Sequence, residues 1–454
     1  MAPSQPNCIV IMIDSLRRDH LGCYGNRQIE TANIDRLAAE SMVFENAYPE
    51  ALPTLPIRSS LFTGCRTLWS RAWQPLARED VTIAEILGGQ GYTCALVTDN
   101  YHMFKPDMNF HKGFHAFRWI RGQEADAYET APHGKDLDRY VKPQMKGDPV
   151  ERMVDQYLKN TAQFAGEEDY FAPRVAKEAI AWLDRSAGVE PFLLWVDFFD
   201  PHEPWDPPPP FDRAYTDEAY RGARLIHPKY GRADWVTAEE INYMRGLYAG
   251  EVTFVNKWVG RLLARIWDLG LHEDTLIVVL ADHGLPLADH GSLLKTPDNL
   301  YGELLRIPFM IRLPGPGGSP GRVTALVQTH DLAPTILALL AARGNDEGMH
   351  GRSLVPVMGH QVASVRDHAV VGYHEAPHRC VRTAELSYVH RGDGQPGEIY
   401  DLVRDPQEQT NLFTSRGADV ERLRQHLGVY TARGSTPIPI VQLAYEISGT
   451  GVKL

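Results

Sequence analysis

Thr54 and Arg58, four residues apart in the stretch EALPTLPIRSSLFTG, set a hydroxyl one helical turn from a guanidinium. Elsewhere in the chain, Asp14 closes the apolar run CIVIMID, and the pair Asp282 and His283 closes TLIVVLADHG. Two carboxylates and an imidazole form a hard-to-borderline donor set suited to one divalent metal ion: Mn²⁺, Zn²⁺, Ca²⁺ or Mg²⁺. Such a cation beside a threonine hydroxyl lowers its pKa and yields a nucleophile that threonine alone does not offer. Arg58 would stabilise that oxygen together with an anionic substrate. A helix starting near Pro56 would aim backbone N–H groups at the same place. Singly, each feature is ordinary: acids end strands, Asp-His-Gly caps turns, threonines punctuate Pro-rich loops, and His202 and Lys295 read as surface residues. Only their convergence would make a site.

Convergence requires elements that deliver these residues to one edge. CIVIMID is apolar throughout and ends in an acid, as a strand buried on both faces does. TANIDRLAAES follows with helical spacing and Thr31 as N-cap. TIAEILGGQG reads as a helix ended by glycines, and YTCALVTDN as the next strand. PRVAKEAIAWLDRS with PFLLWVDFFDPH repeats the pattern, as does the long helical segment from Thr237 with DTLIVVLADHG. Alternating helices and apolar strands predict an α/β fold around a mostly parallel central sheet. Ligands of such sheets sit at the carboxyl ends of the strands. Those ends here carry Asp14, the group Asp99-Asn100-Tyr101-His102, Asp200 with His202, and Asp282 with His283.

Between about 118 and 172 the pattern weakens into charged, Gly- and Pro-containing sequence, read as an insertion over the sheet edge that covers a substrate. A catalytic domain over 1–352 is expected, followed over 353–454 by a smaller α+β subdomain. In the latter, HAVVGY, LSYVHRG and GEIYDL suggest a small antiparallel sheet, and DVERLRQHLGVY a helix packed on it. The apolar last stretch, TPIPIVQLAYEISGTGVKL, is expected to pack on its own body or on a neighbouring subunit of a homo-oligomer.

The net charge of −12, with no dense Lys/Arg stripe, argues against a nucleic-acid partner. A small anionic molecule meeting local clusters such as Arg17-Arg18 is a separate matter. No apolar run reaches the length of a membrane span, and MAPSQPNCIVIMIDSL lacks the layout of a secretory leader. The five cysteines are scattered and odd in number, without metal-type spacing, which fits a reduced, cytoplasmic protein without membrane attachment.

Together the motifs resemble the sulfatase-like branch of the alkaline phosphatase superfamily. IVIMIDSLRRDHLGCYG is similar to its first metal-binding strand and loop, TLPIRSSLFTG to its nucleophile segment, and DFFDPHEPW to the strand carrying a substrate-contacting histidine. VVLADHGLPLADHGSLLK resembles its second metal strand, with a lysine thirteen residues after the aspartate. LYGELLRIPFMIRLPG, VQTHDLAPTIL, HGRSLVPVM and EIYDLVRDPQEQTNL match further landmarks in order, so the resemblance runs from about residue 7 to 412. It implies an alkaline-phosphatase-like sandwich, with Asp14, Asp282 and His283 as metal ligands and Thr54 as both ligand and nucleophile. It further implies that Arg58 stabilises the nucleophile, while His202 and Lys295 contact the transferring group and leaving oxygen. Arg71 falls near a pocket-organising position, His290 is a candidate for the pocket wall, and Tyr101 and His102 are candidates for substrate contact.

Two departures from the family pattern carry weight. Asp14 is followed by Ser15 where paired acids are frequent, which leaves open whether Ser15 contributes a ligand. The nucleophile position holds threonine, where sulfatases of this type start from a Cys or Ser oxidised to formylglycine. The hydrated aldehyde has two hydroxyls and expels sulfate by collapse. Thr54 has one, so its ester must be cleared by water, a route open to phosphorus under metal activation. No cysteine stands in a Cys-x-Pro-x-Arg context, so no displaced formylglycine site exists. One metal is expected, with Lys295 and His202 in the region of a second. The resulting expectation is a metal-dependent hydrolase of phosphodiesters or phosphonate monoesters working through phospho-Thr54. The alternatives are a sulfuric ester hydrolase using unmodified threonine and an inactive, metal-stabilised binding protein.

Overall fold

The computed structural model describes residues 5–318, 320–342, 348–392 and 394–428. The apolar stretch 436–454, expected to pack on the body or on a second subunit, lies outside the described residues. Strands follow in the order β1 (Asn7–Ile13), β2 (Met42–Tyr48), β3 (Ala51–Leu52), β4 (Thr93–Thr98), β5 (Ala116–Trp119), β6 (Phe192–Phe198), β7 (Gly231–Arg232) and β8 (Thr275–Leu280). They continue with β9 (Ser292–Leu293), β10 (Phe309–Arg312), β11 (Gly321–Gln328), β12 (Ala369–Tyr373), β13 (Arg379–Arg382), β14 (Leu386–His390) and β15 (Glu398–Asp401).

The central sheet has eight strands in the order β11-β2-β10-β8-β1-β6-β4-β5. Every neighbouring pair is parallel except the two made by β10. The fold is thus mixed α/β on a mostly parallel sheet. Every residue of β1, β6 and β8 is buried, which is why their sequences are continuous apolar runs rather than alternating ones. Because β8, β1, β6 and β4 are adjacent and point the same way, the residues following them emerge on one edge. The order of apolar runs in the sequence therefore becomes a cluster of acids in space.

The helix Ala238–Asp268 begins with a capping box in which Thr237 and Glu240 satisfy each other's backbone N–H groups. It packs along the body, and Gly250 lets it approach the Phe211 carbonyl, which a Cβ there would meet at 2.3 Å. Its Tyr248 hydroxyl donates to the Ser15 carbonyl (2.7 Å) and accepts from the Arg17 N–H (2.8 Å), so a remote helix steadies the loop after β1. Thr31 does stand before its helix, but its hydroxyl donates to Asp35 and accepts from the Gly22 N–H instead of capping the first turn.

The second sheet has the order β15-β14-β13-β12-β3. Its β12 to β15 are antiparallel, and Val420 and Leu423 of the helix Gly417–Gln425 pack on Val381, Tyr388 and Ile399. Sequence patterning missed β13, whose RCVR carries arginines at both ends, and β3, which is two residues long. β3 pairs in parallel with β12, Ala51 opposite Gly372 and Leu52 opposite Tyr373. The small sheet thereby holds the chain just before Thr54. The segment 118–172 contains a helix, Pro149–Asn160, capped by Asp148, and its buried polar residues include Gln123 and Glu124. No helix among the described residues is long and apolar enough to cross a membrane.

Candidate active site

Asp14 follows β1, and Asp282 and His283 follow β8, one residue beyond its end. One ligand atom from each lies within 4.8 Å of the others, and all three residues are buried. The backbone is shaped to hold them. Ser15 takes a left-handed conformation, φ 59°, that turns its N–H onto Asp282 Oδ1 (3.0 Å) while its hydroxyl donates to Asp14 Oδ1 (2.9 Å). Ser15 thus acts on the carboxylates as a donor. The His283 N–H donates to Asp282 Oδ1 (2.7 Å), and its Nδ1–H donates to the Gly284 carbonyl (2.8 Å). That bond fixes the tautomer and leaves Nε2 as a lone pair, buried without a partner. Gly284 is obligatory, since a Cβ there would lie 2.0 Å from the Glu303 carbonyl.

Burial and the adjacent Asp282 push the Asp14 carboxyl well above the usual range. Burial works the same way on Asp282, but His283, Arg58 and the Ser15 N–H outweigh it and hold that carboxyl well below. Two carboxylates competing at this range, with an orphaned imidazole lone pair beside them, fit a divalent cation.

Thr54 is the first residue of the helix Thr54–Thr63, two residues earlier than Pro56 suggested, and is 2% exposed. The whole helix is buried and ends at Gly64 in the left-handed conformation. Arg58 lies one turn on and is fully buried. Its Nε and Nη2 grip Asp197 in a fork (2.8 and 2.7 Å), Nη2 also donates to Asp14 Oδ2 (2.9 Å), and Nη1 donates to Asp282 Oδ2 (3.0 Å) and the Thr54 carbonyl (3.3 Å). All five guanidinium protons are engaged. Arg58 thus meets Thr54 through its carbonyl and directs its other N–H groups to three acids, Asp14, Asp197 and Asp282.

His202 and Lys295, which singly read as surface residues, are both buried. Lys295 Nζ donates to His202 Nε2 (2.9 Å) and to both oxygens of Glu203 (2.7 and 2.8 Å). His202 Nδ1 donates to the Glu203 carbonyl (2.7 Å), so Nε2 is the acceptor, and burial pushes the imidazole down to about 3, keeping it neutral. The Tyr230 hydroxyl donates to Glu203 Oε1 (2.8 Å). Tyr101 donates to Glu124 (2.5 Å), whose carboxylate lies 3.5 Å from both His102 Nε2 and His227 Nε2. Asp200 and Asp99 share the Gln123 amide (2.6 and 3.0 Å) and form a separate acid pair.

Two sequence candidates face elsewhere. Arg71 forms a fork with Asp80. His290 donates to Glu303 (2.8 Å) and the Glu408 carbonyl (3.0 Å) and stacks on Tyr301 (3.8 Å), fastening the loop to the second sheet instead of lining a pocket. Its neighbour Asp289 is used, holding Arg17 (2.8 Å) beside the Asp14 loop. Sequence reasoning missed Glu203, Glu124, His227 and Tyr230. Glu203 alone had a signal, its place beside His202 in DPHEPW.

Residues 6–342 match the family model described as Sulfatase, and the chain belongs to that family. Residues 294–430 also match the model described as N-sulphoglucosamine sulphohydrolase, C-terminal. The chain is 28% identical to an arylsulfatase of Clostridium perfringens over 90% of this chain and 91% of that protein. It is 25% identical to a multifunctional alkaline phosphatase superfamily protein of Trinickia caryophylli, over 90% and 91% respectively. Its fold superposes on a phosphonate monoester hydrolase of Agrobacterium radiobacter with a TM-score of 0.74 at 22% identity, covering 94% and 96% of the two chains. The protein is a hydrolase of the sulfatase-like branch of the alkaline phosphatase superfamily, acting on ester bonds.

Proposed function

We infer that the protein hydrolyses phosphodiesters or phosphonate monoesters through a covalent phosphothreonine at Thr54. The observation that carries this reading is the placement of Thr54: a single hydroxyl, unconvertible to an aldehyde hydrate, on the first residue of a buried helix whose Arg58 clasps Asp14 and Asp282. A divalent cation held by Asp14, Asp282 and His283 would supply Lewis-acid activation of a hydroxyl and of the ester oxygens. Thr54 Oγ gives up its proton to solvent and attacks phosphorus in line, and the bond to the leaving oxygen breaks. Lys295 gives that oxygen a proton by turning towards it one of the N–H groups it otherwise directs at His202 Nε2 and Glu203. Water then gives a proton to Lys295 and attacks phosphorus, breaking its bond to Oγ, which takes a proton back from solvent and restores Thr54. The five free thiols support a reducing, cytoplasmic setting for this activity.

A second reading, hydrolysis of sulfuric esters by unmodified Thr54, is favoured by the arylsulfatase likeness over nearly the whole chain. Comparative kinetics decide between them. With one aryl leaving group throughout, kcat/KM for the phosphodiester and phosphonate monoester is expected to exceed that for the sulfate. A dominant sulfate overturns the first reading in favour of the second.

A further inference from the structure

Among the described residues, Glu203 is the one acid paired with Lys295. Its carboxylate is fully buried and takes two hydrogen bonds from the ammonium and one from Tyr230. On the reading above, Lys295 serves the leaving oxygen, so its charge belongs to the same site. Without Glu203, Lys295 would present a bare positive charge to whatever ester lies over Thr54. With it, that charge is offset by the carboxylate paired to it. The carboxylates of Asp14, Asp197, Asp282 and Glu203 then balance Arg58, Lys295 and one divalent cation. A monoanion entering a balanced site bears only its own desolvation, whereas each further negative charge goes uncompensated in a medium of low polarisability.

We propose that Glu203 is a specificity-determining residue that sets the site to accept singly charged esters and to reject doubly charged ones. This deepens the ester-hydrolase reading above and rests on it for the identity of the site, but its mechanism is electrostatic and does not need the phosphothreonine. Residue Glu203 touches no reacting atom; it acts through Lys295, as a positioning and charge-setting group.

The test uses phenyl sulfate and phenyl phosphate, ligands of nearly one shape that carry one and two negative charges at pH 8. Their dissociation constants are measured by calorimetry on Mn²⁺-loaded protein carrying Thr54→Ala, so that neither is turned over. In that background the monoanion is expected to bind at least as tightly as the dianion. Adding Glu203→Gln, which keeps shape and hydrogen-bonding capacity, is expected to move the ratio of the two constants about tenfold or more towards the dianion. Adding Lys295→Met instead is expected to move it in the opposite direction, and the double change to return it near the starting value. A ratio that stays constant while both affinities fall in parallel overturns the proposal, even if only one of the two single variants folds. Failure of the phosphothreonine reading would show separately, as absence of a Thr54 adduct with the charge ladder intact.

Discussion

Arg58 and Asp197 face each other in a two-pronged ion pair, Nε to Oδ2 at 2.8 Å and Nη2 to Oδ1 at 2.7 Å, with neither side chain reached by solvent. Asp197 lies within β6 in register with Met12 of β1, so the fork anchors the helix bearing Thr54 to the middle of the sheet. Arg58→Lys keeps the charge and loses the fork. It is expected to lower kcat/KM by about 10²-fold, the scale of a displaced reacting group. The broken buried cluster is expected to lower stability by about 3–5 kcal/mol in urea unfolding. Wild-type values for both would remove Arg58 from its positioning role.

Thr54→Ser preserves a single hydroxyl on the same helix position and is expected to retain activity within about tenfold. Thr54→Ala is expected to lose on the order of 10⁴-fold or more in kcat, as removal of a nucleophile does. Steady-state turnover of the best aryl ester measures both. Equal turnover by Thr54→Ala and wild type would instead support a site in which Thr54 does no chemistry.

Chelation is expected to abolish turnover, and adding back Mn²⁺ or Zn²⁺ to restore it. Because the cation relieves the Asp14 and Asp282 pair only in the folded state, it should also raise the melting temperature. At a hundredfold excess over its dissociation constant the gain is about 2.7 kcal/mol. His283→Ala removes the imidazole Nε2, which has no hydrogen-bond partner, and is expected to weaken this thermal shift, read by scanning calorimetry with and without metal. A shift unaffected by that change would place the cation elsewhere.

The His290 imidazole is raised from 6.5 to about 9: burial opposes this, but Glu303 and the Glu408 carbonyl outweigh it. The folded state therefore binds this proton more tightly than the unfolded chain. Its contribution is fully present below pH 6.5 and is lost as the pH rises through about 9. Wild-type stability is expected to fall across that window, and His290→Gln to flatten the fall while costing about 1–2 kcal/mol at pH 6. Denaturant titrations from pH 6 to 9.5 measure both slopes, and parallel slopes would contradict the assignment.

What could be read from the sequence was what is local. β1 and β8 are buried on both faces, so their apolar runs end sharply at Asp14 and just before Asp282, and a parallel sheet brings those ends together. Thr54 and Arg58 are related by one helical turn, which spacing alone conveys. Glu203 had only its place beside His202 to mark it, because its role depends on Lys295, 92 positions away. Asp197 looks like any acid inside a strand until Arg58 is folded against it. Glu124 lies in charged sequence whose contacts with Tyr101, His102 and His227 arise only in the fold. His290 misled because ADHG occurs twice: the first copy ends a parallel strand, whereas the second lies on a connecting loop and turns its imidazole to Glu303.

The direct test of the central claim is the chemical state of Thr54 during turnover. Enzyme mixed with an aryl phosphonate monoester labelled at phosphorus, acid-quenched within a turnover and digested, should yield label on the peptide containing residues 50–64, assigned to Thr54 by fragmentation. An unlabelled Thr54 with product released at the full rate, or label on another side chain, would contradict the account.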